Sequence, residues 1–312
     1  MGDFFMKELV FGHKNPDTDA IVAAKAYSYL QNQLGADTEA VALGTPNDET
    51  AFVLDYFNED QPRVVSTVKN EVEAVMLVDH NEPQQSADDI ADVVVTNVID
   101  HHRIANFNTA APLYYHAEPV GCTSTIIFNE FKQRGVAVPE KLAGLMLSAI
   151  ISDTLLLKSP TTTDQDVAAV KELAALAHVD YEDYGMKMLK AGTKLDDKTE
   201  EELITSDAKT FEMGGKSVRV DQVNTVDLDD VFAREDKLVA AIKQQNASEG
   251  YDLFLLMVTD ILNSNTRLLV VGEPTDVVEK AFGKELVAGK MDLPGVVSRK
   301  KQVVPPMQEA FN

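Results

Sequence analysis

Short, nearly unbroken apolar segments alternate with longer stretches of helical periodicity through the first half of the chain. Residues 8–12 (ELVFG) predict a buried strand and 19–34 a helix; 38–43 predict a second strand, followed by a helix over 47–57. Residues 73–78 (EAVMLV) and 93–99 (VVVTNVI) predict two more strands. Apolar strands separated by helices imply a parallel sheet covered on both faces, an α/β fold. Helices are predicted over 123–134, 139–151 and 163–176, the last preceded by Pro160 and a Thr/Asp cap. Around residues 189–197 (LKAGTKLDD) the chain turns polar and carries Gly192, which predicts a linker. Beyond it, strands over 217–223, 251–259 and 267–272 and helices over 229–245 and 275–282 predict a second, smaller α/β domain. The expected division is residues 1–189, a linker at 190–196, and residues 197–312.

At 312 residues, 45% of them hydrophobic, the chain can build two real cores and is too apolar to be disordered. Its longest apolar run, about 142–151, falls well short of the roughly 18 residues of a membrane span. Residues 1–7 lack the pattern of a secretory signal, and residues 1–5 are expected to be an extension. A lone cysteine, Cys122, excludes an intramolecular disulfide framework and a Cys-rich zinc module. A soluble, cytoplasmic protein is expected. The net charge of −23 argues against nucleic acid as a partner, since binding it takes a basic face. It leaves phosphate substrates open, because metal ions and a few cations can reverse the sign inside a site.

Three predicted strands end in the same residue types. The first runs into Gly12-His13-Lys14-Asn15-Pro16-Asp17-Thr18-Asp19, another into Asp79-His80-Asn81 and the next into Asp100-His101-His102. Asp153 follows the apolar helix. The carboxyl ends of parallel strands line the crevice of an open α/β sheet, so these segments can converge. Asp and His suit divalent ions such as Mn²⁺, Mg²⁺ or Co²⁺. Four aspartates and two histidines can hold two ions if some carboxylates bridge, and ions ~3.5–4 Å apart can activate a water for in-line attack on phosphorus. Any one strand-terminal Asp is more often a helix cap or turn former. Four of the six histidines, however, lie at or beside strand ends already marked by Asp, which chance explains poorly.

The series His13-x-x-x-Asp17-x-Asp19, Asp79-His80-Asn81 and Asp100-His101-His102 resembles the DHH phosphoesterase superfamily. Ser298-Arg299-Lys300-Lys301-Gln302 near the C-terminus narrows the resemblance to the family II, manganese-dependent inorganic pyrophosphatases. It runs essentially the whole length, and the short interval between Asp79 and Asp153 leaves no room for an inserted regulatory module. The resemblance implies a metal-binding catalytic N-terminal domain, a substrate-binding C-terminal domain and an active site in the cleft between them. It further implies one metal held by His13, Asp17, Asp79 and Asp153, and a second by Asp19, Asp79, His101 and Asp153. A water between the two ions would be the nucleophile that splits diphosphate into two phosphates. The implied cofactors are two Mn²⁺ per subunit, with Co²⁺ as a substitute and Mg²⁺ arriving with the substrate. Asp100 would orient His101. His102, Lys209, Arg299 and Lys300 would bind pyrophosphate, with His102 also serving as the general acid. Domain closure would bring Arg299 and Lys300 onto the substrate. A homodimer formed through the N-terminal domain is also implied.

The chemistry of the substrate supports these cations independently. A tetra-anionic pyrophosphate needs positive charge in so acidic a protein, and a guanidinium suits bidentate phosphate binding. A DHH-type phosphodiesterase acting on short oligonucleotides is the nearest rival, but such proteins usually carry a glycine-rich motif in the second domain. This chain has Ser298 to Gln302 instead, and no tryptophan on which a base could stack. An exopolyphosphatase would use the same cations and is separated poorly. A non-catalytic sensor should have lost a ligand, and none is missing. Gly215-Lys216-Ser217 lacks the earlier glycine of a P-loop. His116 and His178 read as structural or surface residues, Asp260 as a turn or cap residue, Cys122 as a small buried side chain, and His80 as either packed or supporting.

Overall fold

The computed structural model describes residues 7–193 and 195–312; residues 1–5, expected as an extension, and Lys194 of the expected linker lie outside the described residues. The chain divides into two compact units, residues 1–192 and 193–312.

The first unit runs β1 (Glu8–Phe11), α1 (Thr18–Gln33), β2 (Thr38–Ala42), α2 (Asp48–Tyr56), β3 (Arg63–Val64), β4 (Ala74–Val78), β5 (Val94–Asp100) and β6 (Tyr114–Ala117). Four helices follow: α3 (Thr123–Arg134), α4 (Glu140–Thr154), α5 (Asp164–Ala177) and α6 (Tyr181–Thr193). The six strands form one sheet in the order β3-β2-β1-β4-β5-β6, and every neighbouring pair is parallel. Strands after β1 extend to one side and strands after β4 to the other. The order therefore reverses between β1 and β4, and a doubly wound sheet opens its binding crevice at such a switch point. One face packs Leu9, Phe11, Val75, Leu77 and Val98 into a core with Val41, Val68 and Val72.

The patterning missed β3 and β6 because neither is an apolar run; β3 is two exposed residues and β6 (YYHA) is half-exposed at the sheet edge. Helix α4 is buried on nearly all sides, as its all-round hydrophobicity requires. It continues three residues past the expected end, so Asp153 sits in its last turn. Helix α6 occupies the first part of the expected linker, burying Tyr184, Gly185, Met188 and Leu189 at i, i+1, i+4 and i+5. The expected linker is thus helical through Thr193.

The second unit contains α7 (Glu200–Leu203), β7 (Lys209–Met213), β8 (Lys216–Thr225), α8 (Leu228–Phe232), α9 (Glu235–Glu249) and β9 (Leu253–Asp260). It ends with β10 (Asn265–Gly272), α10 (Asp276–Phe282), β11 (Lys290–Pro294) and α11 (Val304–Ala310). Its sheet has the order β11-β10-β9-β8-β7, parallel between β8 and β9 and antiparallel elsewhere. Strand β9 is buried throughout: Leu253, Leu255 and Met257 face one core, Phe254, Leu256 and Val258 the other. The single helix expected over 229–245 is two helices. Between them the Arg234 guanidinium turns back to the carbonyls of Lys198 and Leu195, at 2.7 and 2.5 Å. Among the described residues, no helix is long and apolar enough to cross a membrane.

Candidate metal centre

The carboxyl ends of β1, β4 and β5 deliver His13, Asp79 and the pair His101-His102 to one place, and α1, α3 and α4 bring their termini to the same place. Gly12 makes the first approach possible, since a Cβ there would lie 2.6 Å from the backbone of Ala20 in the first turn of α1. Asp17 is the N-cap of α1. Its Oδ1 accepts the Ala20 N–H at 3.0 Å while its Oδ2 lies 3.5 Å from His13 Nε2. One oxygen thus caps the helix while the other stays free to face His13.

Asp79 is the hub. It follows β4 with φ at 58°, a left-handed backbone uncommon for a residue with a Cβ and enriched at functional positions. Its carboxylate is almost fully buried; Oδ2 lies 3.5 Å from His13 Nε2 and Oδ1 lies 3.4 Å from His101 Nε2. Thr123 Oγ1 also donates to Oδ1, at 3.0 Å. His101 Nε2 lies 3.9 Å from Asp153 Oδ2. Three triads of donor atoms result: His13, Asp17 and Asp79; Asp79, His101 and His102; and Asp19, Cys122 and Asp153. Every candidate ligand from the sequence falls in one of them, with His102 and Cys122 in addition. Asp79, His101, His102 and Asp153 line a cavity of about 780 Å³ with residues 159–163.

Sequence reasoning missed the support for Asp19. The first turn of α3 points at it: the Thr123 N–H donates to Oδ2 at 2.7 Å, and the Ser124 N–H and Oγ donate to Oδ1 at 3.1 and 2.6 Å. The hydroxyl run Thr123-Ser124 after Gly121-Cys122 carried that signal, since helix N-termini hold anions. Three consecutive left-handed leucines, Leu155 to Leu157, with φ at 48°, 56° and 64°, form the turn directly after α4 and Asp153. Each costs roughly 1–2 kcal/mol, so packing must hold them.

One expectation is corrected. Asp100 does not orient His101, whose Nδ1 lies 3.0 Å from the Val120 carbonyl. Instead Asp100 Oδ1 accepts from the His102 backbone N–H at 3.0 Å and from its Nδ1 at 2.9 Å, and Oδ2 accepts Asn81 Nδ2 at 2.6 Å. A residue ending a strand aims its side chain opposite to that of its successor, so Asp100 cannot share a face with His101 but can reach His102, two residues on. His80 is packed: its Nδ1 donates to the Val78 carbonyl at 2.9 Å, Nε2 faces Ser86 Oγ at 3.1 Å, and burial pulls its pKa down to about 4.

The electrostatics call for a cation. Burial and then the Asp79 charge push Asp19 up to about 7, and burial with the charges of Asp19 and Asp79 raises Asp153 well above the carboxylate range. Burial would lower the pKa of His13 and His101, but their bonds to the carboxylates, foremost Asp17 and Asp79 for His13 and Asp79 for His101, prevail and hold them at about 11 and 9. Asp79 is held well below the usual range because His101 and His13 outweigh its burial. A cation held among these carboxylates would take the place of the protons that the raised values favour. Imidazole nitrogens with carboxylate oxygens fit Mn²⁺ or Co²⁺ better than Mg²⁺, which favours all-oxygen shells. Cys122 is fully buried beside Asp19 and Asp153; burial and those charges push its thiol up, which makes it a poor nucleophile.

In the second unit, Lys209 opens β7 and is exposed, as is Lys300. Arg299 is 9% exposed; its guanidinium donates to the Asp207 carbonyl and, at 2.9 Å, to Asp207 Oδ1. This ties Arg299 to the Ser206 to Lys209 segment. Gln302 folds the loop by accepting the N–H groups of Val297 and Ser298 at 2.9 and 3.0 Å and donating to the Gly295 carbonyl at 2.8 Å. His116 lies outside the centre, between Glu130 at 2.6 Å and Glu118 at 2.8 Å.

The family model described as "DHH family, N-terminal domain" matches residues 7–150, and that of the "DHHA2 domain" matches residues 186–310. The chain is 68% identical over 306 residues to the "Probable manganese-dependent inorganic pyrophosphatase" of Lactiplantibacillus plantarum, covering 98% of this chain and 99% of that one. An Enterococcus faecalis protein with the same description is 58% identical over 306 residues, 98% of this chain and 99% of that one. The crystal structure of a Methanococcus jannaschii protein described as a family II inorganic pyrophosphatase superposes with a TM-score of 0.61 at 38% identity, covering 98% and 99% of the two chains. A Bacteroides fragilis exopolyphosphatase-related protein shares the fold, with a TM-score of 0.51 at 12% identity over 98% of this chain and 92% of that one. With the DHH and DHHA2 domains in this order and identity sustained along the whole chain, this protein belongs to the manganese-dependent, family II inorganic pyrophosphatases.

Proposed function

We propose that the chain is a manganese-dependent inorganic pyrophosphatase, hydrolysing diphosphate to two phosphates. The observation that carries this reading is the Asp79 carboxylate, whose two oxygens face different histidines and so can bridge two cations. His13, Asp17, Asp79 and Asp153 would hold one Mn²⁺, and Asp19, Asp79, His101 and Asp153 the other. Co²⁺ would substitute, and Mg²⁺ would accompany pyrophosphate. When bound, such ions activate water for attack on phosphorus and offset the charge of phosphoryl oxygens.

The chain's own residues supply the rest. Asp79, buried and held anionic by its neighbours, keeps a fixed negative charge at the centre. Asp100 accepts the Nδ1 proton of His102, which leaves Nε2 as the nitrogen presented to substrate. The bond to Asp100, against burial, raises the pKa of His102, which favours the protonated form a general acid needs for the departing phosphate. Arg299, Lys300 and Lys209 would bind the phosphate oxygens, with Arg299 exchanging its Asp207 partner for substrate. A homodimer formed through the first unit is part of the proposal. Strand β6 ends the six-stranded sheet with Tyr114 41% exposed, an edge to which a second copy could add. With a net charge of −23, nucleic acid is not a proposed partner.

The test is phosphate release from pyrophosphate after chelation, then addition of Mn²⁺ or Mg²⁺, with a short oligonucleotide and tripolyphosphate in parallel. Hydrolysis of pyrophosphate restored best by Mn²⁺, with the oligonucleotide intact, is expected. A cut oligonucleotide with pyrophosphate untouched would overturn the substrate while leaving the metal centre.

A further inference from the structure

One half-buried carboxylate beside the centre has no place in the ligand set. Glu49 lies in the first turn of α2, and its Oε1 accepts two hydroxyls, Thr18 Oγ1 at 2.7 Å and Ser152 Oγ at 2.5 Å. Both donors are immediate neighbours of candidate ligands: Thr18 stands between Asp17 and Asp19 at the start of α1, and Ser152 precedes Asp153 in the last turn of α4. A single oxygen atom thus joins two helix ends that carry three of the six candidate ligands.

The surroundings hold Glu49 in that pose. Thr18 is fully buried and bonded as well to Thr50 Oγ1 at 3.0 Å, while Thr50 is itself tied to the α2 cap Asn47 at 2.8 and 2.9 Å. On the far side, the last turn of α6 closes over Glu49. A Cβ on Gly192 would lie 3.0 Å from Glu49 Cβ and 3.2 Å from Oε2, so the glycine lets that turn pack directly on the carboxylate. The helix N-terminus favours the acid at this position.

We infer that Glu49 is a positioning residue of the metal centre: by joining Thr18 to Ser152 it sets the separation of Asp17 and Asp19 from Asp153. It acts through Thr18 and Ser152 and, among the described residues, hydrogen-bonds to none of the candidate ligands. The inference rests on the proposed ligand set, and the argument is mechanical. Nothing covalent links the start of α1 to the end of α4 nearby, so their spacing depends on packing and on this shared acceptor. Removing such an outer partner of a metal site typically costs ~10–100-fold in affinity.

The test measures Mn²⁺ binding to the metal-stripped full chain by titration calorimetry, with the unfolding temperature recorded for each variant. Glu49→Ala should weaken Mn²⁺ binding about 10-fold or more. Glu49→Gln should bind within about 3-fold of the parent, because an amide carbonyl still accepts both hydroxyls. Ser152→Ala and Thr18→Val, smaller changes that also serve should Glu49→Ala fail to fold, should each weaken binding several-fold. The pair Glu49→Ala with Ser152→Ala should be no weaker than Glu49→Ala alone, since both remove the same bond. Parent-like binding by Ser152→Ala and Thr18→Val, or by a folded Glu49→Ala, overturns the inference, provided Asp153→Ala loses Mn²⁺. If Asp153→Ala binds like the parent, the ligand set itself is wrong and the inference goes with it.

Discussion

His102 Nδ1 lies 2.9 Å from Asp100 Oδ1, and the same carboxylate oxygen accepts the His102 backbone N–H at 3.0 Å. A carboxylate can only accept here, so Nδ1 carries a proton, and in the proposed mechanism Nε2 is the nitrogen that meets substrate. Asp100→Asn would set an amide against Nδ1 and disturb that tautomer. It should lower kcat roughly 10–100-fold while Mn²⁺ affinity stays within a few-fold, because His101 depends on the Val120 carbonyl instead. Equal losses in both would show that Asp100 acts on the metal ligands after all.

Asp79→Ala removes the carboxylate that faces both His13 and His101. Turnover should fall below detection, and metal content after dialysis against Mn²⁺ should drop by more than one ion per chain. Parent-like hydrolysis in this variant would end the two-ion reading.

Mn²⁺ binding should release protons. The carboxylates around the two histidines hold His13 at about 11 and His101 at about 9, while burial pushes Asp19 up to about 7 and Asp153 well above the carboxylate range, so at neutral pH protons occupy positions a cation would take. Raised pKa values mean that binding weakens as pH falls. Calorimetry in buffers of different ionisation heat should report at least about two protons released per chain near pH 7.5, and an affinity that drops steadily toward pH 6. Heats that are independent of the buffer would contradict the assignment.

Arg299 is paired with Asp207 in the second unit. Arg299→Ala should raise KM for pyrophosphate about 10-fold or more and leave Mn²⁺ affinity nearly intact. Collapse of metal binding instead would refute the division of labour between metal ligands and substrate cations.

Asp221 offers a test away from the metal. It is fully buried in β8, its Oδ1 accepts the Asp207 N–H at 3.1 Å, and Oδ2 has no partner among the described residues. Burial pushes its pKa up from 3.8 to about 6. The folded state therefore holds this proton more tightly than the unfolded chain, and stability is lost as pH rises from about 4 to about 6. Asp221→Asn, neutral throughout, should be more stable at pH 7 by ~2 kcal/mol, an advantage that shrinks toward pH 4.5. A scanning-calorimetry difference that does not vary with pH would sink this account.

Much of the site was legible because its residues stand where strands end. His13, Asp79 and His101 follow apolar runs whose period and flanks announce them, and both histidines reach the Asp79 carboxylate, one at each oxygen. Less legible were elements whose reason lies outside their own segment. Strand β6 forms only because β5 offers it an edge, and the end of α6, residues 190–193, reads as linker although it continues a helix anchored by Tyr184, Met188 and Leu189. The same holds for support. The three donors on Asp19 come from residues more than a hundred positions away, and no local pattern connects them.

By itself the sequence determined the fold class and the order of the two domains and singled out the candidate donors, since periodicity, strand-end position and side-chain chemistry are local properties written in the order of residues. Tertiary structure alone decided the partnerships: which histidine Asp100 holds, which helix N-terminus holds Asp19, and which carboxylate joins Thr18 to Ser152. Those depend on distances and angles across packed elements, and hydrogen bonds that must close within about 3 Å are set by the packing as a whole.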